Sequence, residues 1–145
     1  MEVNFETYKY LLGETIGYYQ LLENDLKLIF AGMMKGENFA ENYDITCKEF
    51  QGLGKIITAL KELDNSDNRP YFSQETYRLL FKLAGERNYF CHKCCLDFRY
   101  IQNFENSKEY AKACKKLLES NKLIKDIHAK TEEHRLKILK DYHRI

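Results

Sequence analysis

Apolar side chains return at three- and four-residue steps along most of this chain, and that rhythm constrains its fold more than any other feature. From Val3 to about Met34, Phe5, Tyr8, Leu12, Tyr19, Leu22, Leu26, Ile29 and Met33 follow the period of an amphipathic helix. Gly13 and Gly17 are expected to loosen its first turns. After Gly36 a second helical region runs to about Leu63, with Phe50, Leu53, Ile56, Ile57, Leu60 and Leu63 as its core stripe. The polar run from Asn38 to Asp44 reads as a loop or a separate turn. Leucine occurs eighteen times and valine once, so there is little material for strands.

The clearest loop is Asp64-Asn65-Ser66-Asp67-Asn68-Arg69-Pro70, which holds the only proline and disfavours helix at Arg69. Ser73 then suits the N-cap of a third helix carrying Tyr77, Leu80, Phe81 and Ala84, with Gly85 as a place to kink or stop. A fourth helix is expected from Arg87 to about Tyr100. The stretch from Ser107 to Tyr142 would be about 54 Å long as one helix, which predicts a break near Ser120-Asn121. The expectation is an all-α, single-domain bundle of four to six helices over residues 1–145, without internal repeats.

At 145 residues, folding buries roughly 70% of the extended surface, so the core needs neither disulfides nor structural metal. The longest apolar run, Leu28 to Met34, is far short of the roughly 20 residues that cross a bilayer. With no signal-peptide pattern at the start and an odd count of five cysteines, a cytoplasmic location without membrane association is expected. The net charge of +1 conceals a polarity. Residues 1–72 carry seven Lys/Arg against twelve Asp/Glu, and residues 73–145 carry sixteen against ten. A polyanion would therefore meet the second half. There Lys108, Lys112, Lys115, Lys116, Lys122 and Lys125 form either a backbone-tracking stripe or a solvated helix face.

The chemistry-bearing stretch is Glu86-Arg87-Asn88-Tyr89-Phe90-Cys91-His92-Lys93-Cys94-Cys95, where titratable residues interrupt a core helix. Asn88 and His92 stand four apart, close enough for the amide to orient the imidazole. Arg87 lies one step round, within reach of a phosphate held before His92. Histidine exchanges protons near neutral pH and guanidinium offers fixed donors to phosphate oxygens, a pairing suited to phosphodiester chemistry. The bland alternative is a surface histidine beside a stabilising arginine.

The run Arg87-Asn88-Tyr89-Phe90-Cys91-His92 resembles the Arg-x(4–6)-His motif of HEPN domains, in which a polar residue often follows the arginine. The family consists of small helical bundles, generally dimeric, and many members are metal-independent RNA endonucleases in toxin–antitoxin, phage-defence and RNA-processing systems. The resemblance implies that Arg87 and His92 are catalytic and Asn88 supports them. It further implies RNA as substrate, a homodimer, no cofactor and no metal, and an antitoxin or regulatory protein as partner. Its reaction is attack by the RNA 2′-hydroxyl on the neighbouring phosphate, giving a 2′,3′-cyclic phosphate. Where related toxins place a tyrosine two residues beyond the histidine, this chain has Cys94. Tyr89 and Lys93 are the expected substrate contacts.

Other readings of the stretch are weaker. Cys91, Cys94 and Cys95 sit at i, i+3 and i+4, but one helix cannot easily wrap three thiolates and His92 around zinc, and Cys47 and Cys114 have no paired partner. Cys91 to Cys94 lacks the context of a redox motif, and Cys91 and His92 point about 100° apart, unsuited to a nucleophilic pair. Gly52-Leu53-Gly54 lacks the lysine of a phosphate-binding loop and reads as a close approach of two helices. The aromatics around the motif, Tyr71, Phe72, Tyr89, Phe90, Phe98 and Tyr100, are either core or stacking surfaces for bases. The alternative function is a catalytically silent HEPN-like scaffold binding a protein partner or nucleotide. In that case Arg87 and His92 would be buried and internally hydrogen-bonded.

Overall fold

A computed structural model describes residues 3–145, among which every regular element is helical. The helices are α1 (Phe5–Met33), α2 (Phe39–Glu49), α3 (Leu53–Asp64), α4 (Gln74–His92) and α5 (Lys108–Asp141). Two short 3₁₀ turns, Cys94–Asp97 and Phe104–Asn106, join α4 to α5. Four helices start on the capping chemistry their sequences offer: the side chains of Asn4, Asn38, Ser73 and Ser107 accept the backbone N–H three residues on. No helix among the described residues is long and apolar enough to cross a membrane.

α1 and α5 form the spine and run parallel. The Tyr110 hydroxyl donates to the Val3 carbonyl near one end, Asn121 bonds Glu14 and Thr15 midway, and Leu139 packs on Gly32 near the other. α4 runs antiparallel to both, with Glu86 accepting hydrogen bonds from Tyr19 of α1 at 3.2 Å and Ser120 of α5 at 3.1 Å. The core between them is built from Tyr8, Leu22, Leu26, Ile29, Ile56, Leu60, Leu80, Leu117 and Ile138, all essentially inaccessible. At the end where α1 begins, Phe98 plugs the core against Tyr8, Tyr110 and Phe104, with ring centroids 5.1 to 5.4 Å apart.

Several sequence expectations change. The second helical region is two helices, and the Asn38–Asp44 run is the cap and first half of α2. The division falls at Gly52, whose φ of 109° is a conformation side chains resist. Neither Gly52 nor Gly54 lies against another helix: a Cβ on either would meet nothing within 4 Å. Gly13 and Gly17 sit inside an unbroken α1. The third and fourth helices are one, because Gly85 continues the helix and α4 ends at His92 rather than near Tyr100. Beyond it the chain turns so that Phe98 can reach the core. Phe81, placed in the core stripe, is partly exposed with Lys61 over its ring. α5 does not break at Ser120-Asn121. Those polar residues face inward and find partners on α1 and α4, so the helix continues for 34 residues, about 51 Å.

Candidate functional site

The last two turns of α4 carry the candidate residues. Glu86 and Phe90 point inward, and Glu86 fixes the rotation of this segment through Tyr19 and Ser120. At about 100° per residue, Arg87, Asn88 and His92 then occupy one broad outward arc, with Arg87 and His92 about 140° apart at its edges. Arg87 is half-buried, whereas Asn88 and His92 are exposed. The Arg87 Nη1 donates to Asn88 Oδ1 at 3.1 Å, which turns the guanidinium towards the side on which His92 stands. Among the described residues, Arg87 has no carboxylate partner and no hydrogen bond joins Asn88 to His92. The amide therefore positions the arginine rather than the expected imidazole. His92 closes the helix and Lys93, exposed, is its C-cap, its N–H bonded to the Tyr89 carbonyl at 2.8 Å.

Tyr89 lies just beyond His92 round α4, about 160° from Arg87. Its hydroxyl donates to Asp97, and Lys116 of α5 sits over its ring, 3.6 Å from the centroid. Burial first, then the bond to Asp97, raises its phenol above the ordinary range. One ring face is thus taken by a cation, which ties the motif helix to α5. Of the other aromatics, Phe72, Phe90 and Phe98 belong to the core, and Tyr71 donates to Asp141. Tyr100 is 86% exposed.

The cysteines are free. Cys94 is buried, donates to the Phe90 carbonyl at 3.3 Å and lies 4.0 Å from the Cys95 sulfur, and burial pushes its thiol up to about 11. Among the described residues no group of three or more His, Cys, Asp or Glu side chains is placed to hold a metal ion. Two surface grooves lie away from the motif, one against α1 and α3 around Phe30, Phe50 and Leu63, another along α5 beside Tyr110, Cys114 and Lys115.

A second constellation carries no motif in the sequence. Asp25, buried on α1, lies 3.2 Å from His128 Nε2 and 3.6 Å from Arg135 Nε, both on α5. Burial raises the Asp25 carboxyl, with Arg135 and then His128 opposing the shift. His128 and Arg135 are seven apart, two turns along one face, which is the signal that pairs them. Their partner, 103 residues upstream of His128 within an apolar stripe, had none. The Tyr18 ring packs edge-on against His128 and closes the cluster. It fastens α1 to α5.

No family model, curated protein or solved structure matches the chain.

Proposed function

We propose that this protein is a metal-independent endoribonuclease of HEPN type, working through Arg87 and His92. One observation carries the reading: the Arg87 guanidinium, without a carboxylate partner among the described residues, is turned by Asn88 onto the arc that holds an exposed His92. A stabilising structural arginine is ordinarily satisfied by a carboxylate or by several carbonyls. Arg144 illustrates this in the same molecule, donating to the carbonyls of Gly32, Met34 and Gly36. Arg87 has only a neighbouring amide and keeps donors for a ligand.

In this reading the RNA 2′-hydroxyl attacks the adjacent phosphorus and the 5′-oxygen of the next nucleotide leaves. His92 accepts or supplies a proton, and Arg87 stabilises the charge that builds on the phosphorane-like oxygens. Asn88 holds Arg87 in place. A single motif offers one proton-exchanging group for two proton transfers. A second copy related by a two-fold axis supplies the other without further sequence.

The test is incubation of purified protein with mixed RNAs in excess EDTA, beside His92→Ala, Arg87→Ala and a fully 2′-deoxy strand. Cleavage by wild type alone, sparing the deoxy strand, is expected. Both side chains project from the outer arc of α4, so the variants should retain the wild-type melting temperature. Equal cleavage by wild type and His92→Ala would overturn the assignment, and absence of cleavage across diverse RNAs would favour the silent scaffold.

A further inference from the structure

We infer that the lysine face in the first half of α5 is a track for single-stranded RNA leading to the Arg87–His92 end of α4. This rests on the ribonuclease reading and names how substrate reaches that site. Lys108, Lys112, Lys115 and Lys122 are exposed and stay within about 80° of arc, directly opposite the buried Leu117 and Ile124. They span about 21 Å of helix, with roughly one turn between the first three. None has a carboxylate within ion-pair distance among the described residues. Lys125, grouped with them by sequence, leaves the stripe to pair with Glu14 of α1. Between Lys108 and Lys122 five lysines face two glutamates, Glu109 and Glu119.

Structure adds the continuity that sequence lacked. Lys116 turns off the stripe towards α4 and covers the Tyr89 ring, so the basic face abuts the motif helix. Tyr89 and Lys93 are one turn apart on that side of α4, and His92 is the next residue round. Net positive charge therefore passes along α5 from Lys108 to Lys122, with Glu119 the one carboxylate inside that arc, and across Lys116 to Lys93 and the candidate site, where Asp97 is already engaged by Tyr89. The partner's chemistry follows from the shape. A ridge one helix wide, carrying point charges about one turn apart beside the shallow groove that Ser107, Ala111 and Lys115 line, suits a flexible phosphate chain rather than a rigid duplex. Transfer from a 2′-hydroxyl also needs a linkage free to swing into line.

The experiment measures binding of a fluorescent oligouridylate to the full chain in EDTA, using His92→Ala so that nothing is cut, between about 50 and 200 mM salt. Four backbone contacts predict a slope of log affinity on log salt near −2.8, at about −0.7 per contact for single strands. Replacing Lys112, Lys115 and Lys122 by glutamine should flatten it by about 2 and weaken binding at least about tenfold at low salt. The same substitutions in the wild-type background should raise KM for RNA with little change in kcat. The side chains are exposed, and an unchanged melting temperature shows that the fold persists. An unchanged slope and KM would overturn the track while leaving the catalytic reading standing. A lysine-dependent slope in a protein that never cuts RNA would keep the track and remove the nuclease. Tighter binding to a duplex of equal length, or to phosphatidylserine vesicles and not to the oligomer, would overturn the single-strand assignment.

Discussion

Single carboxylates hold this molecule's irregular segments and its spine. Asp64, buried at the end of α3, accepts from the backbone N–H groups of Tyr71 and Phe72 and from the Tyr77 hydroxyl at 2.7 to 3.1 Å. It thereby ties the proline loop to α4. Asp64→Ala leaves three donors without their acceptor and should cost about 2–4 kcal/mol, read as a lowered urea midpoint. Glu14 behaves differently because it lies near the surface. Hydrogen bonds from Lys125 and Asn121 hold its carboxyl below the ordinary value of 4.5. A depressed folded-state pKa contributes stability that is complete above that value and is lost as pH falls through the folded one. The wild-type melting temperature should therefore drop more steeply below about pH 4.5 than that of Glu14→Gln. The thiols offer a further check: raised to about 11 and buried, Cys94 should alkylate with iodoacetamide at pH 8 well after the half-buried Cys91 and Cys95, as followed by peptide mass spectrometry.

At the scale of elements, identical residue types carry opposite expectations. A Cβ at Gly32 would stand 2.4 Å from Leu139 Cδ2, where α1 and α5 cross closely, whereas one at Gly17 or Gly85 would meet nothing within 4 Å. Gly32→Ala should destabilise by about 1–3 kcal/mol, and Gly17→Ala and Gly85→Ala should stabilise by about 0.5–1 kcal/mol each, measured by chemical denaturation. Helix existence was legible because the apolar period runs through α1, α3 and α5, and Ser73 caps the helix its position suggested. Helix interruption was not. Gly85 and Ser120-Asn121 look like breakers locally, but a glycine costs a helix only about 1 kcal/mol, and a buried polar pair is favourable once partners on other helices exist. Those partners, Glu86, Glu14 and Thr15, are distant in sequence. The candidate site divides the same way. Arg87, Asn88 and His92 were visible as a motif, while the Arg87–Asn88 bond, the Lys116–Tyr89 contact and the Asp25 cluster depend on packing that no local pattern encodes.

For the whole molecule, the spine of α1 and α5 sets where charge and chemistry meet. Because α4 runs antiparallel to both, its C-terminal turns arrive beside the first third of α5, which carries Lys108, Lys112, Lys115 and Lys116. The acidic half of the chain supplies α1 to α3 and the basic half supplies α4 and α5, so the polarity noted in the sequence becomes a division between elements. The proposed reaction, cleavage of RNA by its own 2′-hydroxyl under the direction of Arg87 and His92, fixes the chemistry of the new 3′ ends. Mass spectrometry of those ends, after digestion in EDTA, distinguishes it from other routes. Cyclic-phosphate termini that disappear with His92→Ala are predicted, and 3′-hydroxyl termini, or ends indifferent to that substitution, would contradict it.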